Sequence, residues 1–587
     1  MYIIGINAFH GDSSACLLKD GLLIAAAEEE RFRRIKHWAG FPSKSIQWCL
    51  SDAGINLDEV KYVALNQNKN ANFCRKIIFT LLNRSSLKML LNSFQNKLKR
   101  LDVKKHLLNS FPESKFKGLI YPVEHHLAHL SSAFHVSPFN KAVVVSVDGS
   151  GDFTSTAWGV GQDLKIDVED RIYFPHSLGI FYQALTQFVG FHNYGDEYKL
   201  MGLAPYGRPI YIEQMRKIVK LKSNGGFELN LKYFRHHIVK INDQWNNTSP
   251  YIDTLFSSEL ERLIGPPRKK DEELKQNHKD IASSAQFIYE EAFFHLLNKL
   301  YTKYKLDNLA IAGGCAMNSV ANGKILLKTP FKKIYVQAAA GDAGGAIGAA
   351  LICWHNVGGQ KAKKKINLHE HAYWGPRFSE DYISNLLNLY KDKIEKKENC
   401  IIENMSDFSK LTQIVASEIA KGRVIGWFQG RMEWGPRALG NRSIICDPRR
   451  SDMKDILNLK IKRRESFRPF APSILCEEVA EWFEQTHDVP FMMQVYKILE
   501  KKRSQVPAVT HVDGTGRLHT VNKKINLRYY TLIDEFRKLT GIPMVLNTSF
   551  NENEPVVCKP EEALETFMRT KMDLLVLGDW IIKRKVL

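Results

Sequence analysis

Residues 1–30 read MYIIGINAFHGDSSACLLKDGLLIAAAEEE. Tyr2–Ile6 (YIIGI) is a short apolar run that predicts a buried strand. A polar loop follows, His10-Gly11-Asp12-Ser13-Ser14, and then a second apolar run, Ala15–Leu18. Asp20-Gly21 is a hairpin turn signal leading into Leu22–Ala27. The chain therefore opens strand, loop, strand, tight turn, strand. The pattern returns at Ala142–Val147, Asp148-Gly149-Ser150-Gly151-Asp152 and Thr154–Val160. Two copies predict an internally duplicated α/β domain. Loops of this kind, at strand ends, present backbone N–H groups and small hydroxyls to phosphates.

Further along, Ala282–Tyr304 has helical apolar spacing and Leu309–Ala312 reads as a buried strand ending in Gly313-Gly314. The loop Ala340–Gly345 precedes a small-residue run, Ala346–Ala350, that predicts a closely packed helix. The polar, Lys-rich stretch from Asn356 to Asn367 marks a junction. Beyond it, Leu411–Ala420 predicts a helix, and Val424–Phe428, Met544–Leu546 and Leu574–Leu577 predict strands of a second, smaller α/β domain. The expected division is a first domain over 1–358, a linker and domain junction over 359–400, and a second domain over 401–587.

The chain has 587 residues, 44% hydrophobic and 25% charged. That excludes a disordered or collagen-like chain. Nine Cys without a CxxC pair argue against a disulfide scaffold, a zinc ribbon or thioredoxin-type redox chemistry. No apolar run approaches the roughly 20 residues of a membrane span, and the N-terminus does not read as a signal peptide. A cytoplasmic protein is expected. Lys+Arg 83 against Asp+Glu 63 gives a net charge of +20. Much of the excess is local: Lys69 to Lys117 holds twelve Lys/Arg against Asp102 and Glu113, and Lys361 to Lys365 adds four lysines. The segment 69–117, with apolar spacing in Ile77–Leu82 and Leu87–Leu91, reads as a basic helical insertion. It is either a solvated face or a docking surface for an anionic partner.

Several clusters carry chemistry. His125 and His129 are four apart and share a helical face, a spacing that suits a metal with nitrogen ligands and equally suits core or surface histidines. Asp148 and Asp342 each end a strand beside Gly. Two His and two Asp would make a site for Fe(II), Mn(II) or Zn(II). Singly, each Asp also reads as a turn residue. His10 has the chemistry of a general base near pH 7, or is simply a loop histidine. The segment 430–443, GRMEWGPRALGNRS, is followed by Asp447-Pro448-Arg449-Arg450 and then by Lys462-Arg463-Arg464-Glu465-Ser466-Phe467-Arg468-Pro469. Arginines interleaved with Gly and Pro suit a rigid, concave anion site. Asp513-Gly514-Thr515-Gly516-Arg517 and Asn547-Thr548-Ser549-Phe550-Asn551 add donors.

Taken together, HGDSSA, EEERFRRIKH, EHHLAH, VDGSGD, GDEYKLMGLAPYG, GGCAMNSVANGK, GDAGGAIGAA, GRMEWGPRALGNRSI, FRPFAPS, VDGTGR and NTSFN resemble, in order and over nearly the whole chain, the O-carbamoyltransferase family of nodulation protein U, cephem carbamoyltransferase and tobramycin carbamoyltransferase. Segment 69–117 carries no matching motif. The resemblance implies an N-terminal duplicated actin-like (sugar-kinase superfamily) domain and a C-terminal carbamoyl-adenylate-synthase-like α/β domain. It implies that carbamoyl phosphate and ATP form carbamoyl adenylate, with Mg(II), and that the carbamoyl group passes to a hydroxyl of a small-molecule natural product or saccharide.

The implied roles follow residue by residue. His125, His129, Asp148 and Asp342 hold the metal, Fe(II) first among the candidates, which orients the adenylate phosphate. His10 is the base for the acceptor, and His126 is directed elsewhere. Asp12, Ser13, Gly313, Gly314, Asn318 and Asn322 line the nucleotide site. Arg437, Arg442, Arg468, Arg517, Asn547 and Ser549 bind carbamoyl phosphate and ATP. Linkage to AMP makes the resonance-stabilised carbamate a better acylating agent. Its sensitivity to water calls for an enclosed passage. A small-molecule acceptor is the expected partner, with no membrane or nucleic acid, and a homodimer follows only from general frequency. The rival readings are a tRNA threonylcarbamoyl-type enzyme, a nucleic-acid-associated protein without catalysis, and a sugar kinase.

Overall fold

The computed structural model describes residues 1–82, 102–238, 243–244, 247–269, 271–359 and 370–585. The chain divides into two compact units, Met1–His369 and Glu370–Leu587.

The first unit begins with β1 (Tyr2–Asn7), β2 (Ser14–Lys19), β3 (Leu22–Glu28), β4 (Val60–Leu65) and β5 (Leu119–Pro122). They form one sheet in the order β3-β2-β1-β4-β5. The first three strands are antiparallel, and β4 and β5 add parallel to β1. A second set, β6 (Lys141–Gly151), β7 (Thr154–Gln162), β8 (Lys165–Tyr173), β9 (Asn308–Ala312) and β10 (Lys333–Val336), repeats this plan. Its order is β8-β7-β6-β9-β10, with the same antiparallel and parallel pairings. The expected duplication is thus a repeat of topology, in the actin-like arrangement.

Each fifth strand leads to a helix: α1 (His125–Phe134) after β5 and α3 (Gly345–Val357) after β10. Between them in sequence lies the long helix α2 (Gln276–Tyr304). α1 and α3 pack directly on each other. The approach depends on Gly348, where a Cβ would lie 1.8 Å from the Ala128 carbonyl oxygen. Ser131 Oγ donates to the Gly348 carbonyl at 2.9 Å across the same contact. Gly5 of β1 plays a matching part, since a Cβ there would meet the Ala346 carbonyl oxygen at 2.0 Å. The small-residue run at 346–350 is therefore the price of bringing strand and two helices together.

The acidic start of EEERFRRIKH also has a structural cause. Glu29 is fully buried and accepts hydrogen bonds from Ser45 N (2.7 Å), Ser45 Oγ (2.8 Å), Lys44 N (3.1 Å) and Arg33 Nε (2.9 Å). Its carboxylate satisfies the open amides of helix Ser43–Ala53.

The second unit is a nine-stranded mixed sheet. Its strands are β11 (Cys400–Asn404), β12 (Ile425–Phe428), β13 (Arg442–Cys446), β14 (Ala471–Leu475), β15 (Gln494–Lys497), β16 (Thr515–Val521), β17 (Met544–Ser549), β18 (Leu574–Leu577) and β19 (Trp580–Arg584). They run in the order β11-β19-β18-β12-β13-β17-β14-β16-β15.

One expectation needs revision. Residues 370–400 are not a linker: helix α4 (Glu380–Asp392) and β11 lie in the second unit, and Ile383, Leu387, Ile394 and Cys400 are in its core. Polar composition masked that narrow apolar face. The segment 69–117 holds helices Phe73–Leu82 and Val103–Ser110. Its Leu87–Leu91 run, and Lys361 to Lys365, lie outside the described residues. Among the described residues no helix is long and apolar enough to cross a membrane.

Candidate functional site

In the first unit, the duplicated halves bring four side chains together. His125 and His129 project from the first two turns of α1, Asp148 ends the core of β6, and Asp342 precedes α3. Their ligand atoms lie within 4.8 Å of one another. The Nε2 atoms of His125 and His129 face each other at 3.0 Å. Asp148 Oδ2 is 3.3 Å from His125 and 3.8 Å from His129, and Asp342 Oδ1 is 3.6 and 3.4 Å from the same two nitrogens. Both imidazoles are buried. Burial opposes charge on His125, but the hydrogen bond to Asp148 and the charge of Asp342 outweigh it and raise its pKa to about 10. Asp148, against its own burial, is held far below the usual carboxylate range by His125 and His129. Two converging nitrogens and two carboxylates could hold a divalent cation, whose charge would balance the pair of acids. This N2O2 set fits Fe(II), Mn(II) and Zn(II) alike.

The surrounding backbone holds the ligands still. Glu124 caps α1 through His126 N and Leu127 N at 3.2 and 2.8 Å. Asp152 Oδ2 accepts from His125 N at 3.0 Å and Asn68 N at 2.8 Å. The N-terminus of α1 is thereby filled by the protein's own carboxylates. Asp148 Oδ1 accepts from Gly314 N at 2.7 Å. Gly313 adopts φ +92°, and a Cβ there would lie 2.2 Å from the Val147 carbonyl oxygen. His126 points away: Nδ1 meets Ser146 Oγ at 2.7 Å and Nε2 meets the Thr154 carbonyl at 3.0 Å.

His10 stands at the edge of this cluster, its ring 5.6 Å from that of His125 and its Nδ1 4.0 Å from Asp342 Oδ2. Other expected site residues are committed inside the fold. Ser13 is fully buried, and its hydroxyl contacts the carbonyls of His10 (3.1 Å) and Gly40 (2.9 Å). Asp12 pairs with His37 Nδ1 at 2.7 Å. Asn318 caps helix Ser319–Lys328 and exchanges hydrogen bonds with Gln286 at 3.0 and 3.2 Å. Asn322 donates to the Ala316 carbonyl at 2.7 Å. These hydrogen bonds shape the loops that carry the side chains. Asp12, His37 and Glu30 also gather closely, but Arg31, 2.8 Å from Glu30 and 3.4 Å from Glu28, already supplies a positive charge there.

In the second unit, the GRMEWGPRALGN loop folds around one carboxylate. Glu433 Oε1 accepts from Leu439 N (2.8 Å), Asn441 N (2.7 Å) and Arg442 N (3.1 Å). Arg442 is fully buried. Its guanidinium donates to the carbonyls of Gln429 (2.6 Å), Asn441 (2.9 Å) and Pro376 (3.0 Å) and lies 3.6 Å over the Phe428 ring. Arg442 is therefore a structural cation, not a phosphate ligand as expected. Arg517 is different. Burial depresses its pKa well below the arginine range, and Arg437, Arg468 and Arg464 add to the effect. The four guanidinium groups are thus near enough to repel one another, an arrangement that could take up an anion.

Asn547 donates to the Ala438 carbonyl at 3.0 Å and Ser473 Oγ at 2.9 Å. Ser549 Oγ contacts Asn551 Oδ1 at 2.7 Å. Both side chains are engaged with other residues of the second unit. Two residues not singled out from the sequence matter here. Lys462 is buried, its ammonium 2.8 Å from both the Asn551 carbonyl and Asn551 Oδ1. Arg464 belongs to the guanidinium cluster. The sequence signal was the basic run 462–464, but which charge turns inward depends on the π-turn Asn458–Lys462 and on Arg463 at φ +43°.

Residues 2–351 match the model of the carbamoyltransferase N-terminus, and residues 416–584 that of the carbamoyltransferase C-terminus. The chain belongs to the carbamoyltransferase family. It is 40% identical to the uncharacterised Synechocystis protein sll1178, over 99% of this chain and 97% of that one. It is 38% identical to nodulation protein NolNO of Sinorhizobium fredii, over 99% of this chain and 80% of that one. It is 31% identical to the 3'-hydroxymethylcephem-O-carbamoyltransferase of Streptomyces clavuligerus, over 42% of each.

Proposed function

We propose that this protein is an ATP-dependent O-carbamoyltransferase that makes carbamoyl adenylate from carbamoyl phosphate and ATP, and passes the carbamoyl group to an alcohol of a small molecule or saccharide. The observation that carries the reading is the pairing, in one carbamoyltransferase chain, of a guanidinium cluster in one unit with a His–Asp nest beside the loop histidine His10 in the other. Arg437, Arg464, Arg468 and Arg517 offset the phosphate charges of the two precursors, a form of electrostatic catalysis. Lys462 holds the NTSFN segment in place through Asn551. His125, His129, Asp148 and Asp342 would hold a divalent metal, which supplies Lewis-acid stabilisation of phosphate oxygens. His10 takes the proton of the acceptor hydroxyl. The name of the cephem relative, a 3'-hydroxymethylcephem-O-carbamoyltransferase, supports the alcohol class.

Pyrophosphate exchange into ATP that requires carbamoyl phosphate tests the first step. A sugar kinase would consume ATP without carbamoyl phosphate. His10→Asn should leave that exchange intact while slowing transfer by about 10²–10⁴. Equal loss of both steps would remove the assigned role of His10. Screening hydroxyl compounds for a carbamoyl mass gain identifies the acceptor.

A further inference from the structure

We infer that Glu433 is the positioning residue of Arg437: its carboxylate ties the chain before that arginine to the chain after it, and so presents the guanidinium to a phosphate from a fixed tip. The inference rests on the reading of Arg437 as a phosphate ligand, and adds to it what holds that ligand in place.

Glu433 stands four residues before Arg437 and is buried. Its Oε1 gathers three backbone amides from beyond Arg437: Asn441 N at 2.7 Å, Leu439 N at 2.8 Å and Arg442 N at 3.1 Å. Converging amides of this kind are a ready anion site. Here the anion is the protein's own side chain, so these amides serve the loop and not a ligand. An ionised acceptor makes such bonds roughly twice as strong as neutral ones.

The carbonyls of the same stretch are held as well. Ala438 O accepts from Asn547 Nδ2 at 3.0 Å, Leu439 O from the Tyr373 hydroxyl at 2.8 Å, and Gly440 O from Trp427 Nε1 at 2.9 Å. Gly440 has φ +98°, and a Cβ there would lie 2.2 Å from the Tyr529 ring. On the other flank, Gly435 also has φ +98°, and the ring of Pro436 fixes the next φ. From Met432 to Arg442 every residue is buried except two: Pro436 is exposed and Arg437 half-buried. The loop is a buried pedestal with one cation at its tip.

That rigidity has a physical use. Arg437 acts electrostatically on Arg517, as do Arg464 and Arg468. Like charges drive a loosely held arginine out towards water. With the backbone at 438–442 fixed, only side-chain torsions are left for that escape. Less order must then be created when a phosphate binds, which strengthens binding without any new contact.

The test is a double-mutant cycle on the full chain, with inorganic phosphate as the probe and calorimetry as the measurement. Arg437→Met and Glu433→Gln should each weaken phosphate binding about tenfold. The double variant should bind no more weakly than Arg437→Met alone, because Glu433 acts through that guanidinium. A side chain that merely stabilises the fold would give losses that multiply. Multiplied losses overturn the inference, as does a Glu433→Gln variant that melts earlier yet binds phosphate normally. If Glu433→Gln fails to fold, Asn547→Ala, which frees the Ala438 carbonyl from the other side, takes its place in the same cycle. Phosphate binding unaffected by Arg437→Met removes Arg437 from the anion site, and this inference with it. Absence of pyrophosphate exchange in the unaltered protein counts against the proposed reaction alone, since the phosphate cycle is read without turnover.

Discussion

Arg442 and Arg517 are the same residue type under opposite constraints. Arg442 sits in a cage of backbone carbonyls, so its removal strands several buried acceptors. Arg442→Met is expected to cost the second unit about 3 kcal/mol or more, read as a lowered melting temperature. Arg517 is buried among three other guanidinium groups. Arg517→Met is expected to keep or raise that melting temperature while weakening binding of inorganic phosphate, measured by calorimetry. In the first unit, Asp148→Asn is expected to lower Zn(II) affinity by more than the roughly 10–100-fold that loss of an outer hydrogen-bond partner costs. Metal analysis after dialysis reads the loss. The backbone bond from Gly314 N survives, because the Asn oxygen still accepts.

At the scale of elements, the contact between α1 and α3 decides whether the ligands meet. Gly348→Ala places a methyl group against the Ala128 carbonyl and wedges the helices apart, at about 1–3 kcal/mol. It should weaken Zn(II) binding although no ligand is touched, as followed by the same titration. The loop from Phe9 to Ser13 is held on its other side by His37. Burial works against charge on that ring, but Asp12 and Glu30 raise its pKa from the ordinary 6.5 to about 9. A histidine raised on folding adds stability in full below pH 6.5 and loses it as pH climbs through 9. Because His37 is partly open to solvent, the contribution is about 1 kcal/mol. Deuterium uptake in peptides covering residues 9–15, corrected for the intrinsic rise of amide exchange with pH, should therefore increase between pH 7 and 10, and this excess should vanish in His37→Gln.

For the whole molecule, the two units keep separate cores and separate charges. With a metal in the proposed nest, chelation is expected to raise deuterium uptake around residues 123–135 and 340–346, where carboxylates and imidazoles would lose a shared cation. Uptake over residues 425–446, in the sheet of the second unit, should stay constant.

Local chemistry alone was enough for much of this. Apolar runs, the Asp20-Gly21 turn and the repeated polar loop name the strands, because strand and turn formation depend on neighbours a few residues apart. The same holds for His125 and His129, which helical spacing puts on one face. Distance in the chain is what the sequence could not bridge: Asp342 joins Asp148 only because sheets of identical topology bring their loop ends together. Nor could it rank the arginines. In a loop shaped by glycine and proline, a side chain's direction is set by which buried partner claims it, and carbonyls claimed Arg442 while Arg517 was left facing other positive charge. Composition likewise hid α4, whose few apolar residues gain meaning only when a sheet is there to receive them. Order along the chain specified the parts and the kind of chemistry; three-dimensional packing alone assigned each charged group to scaffold or to site, since burial and partners exist only in the folded state.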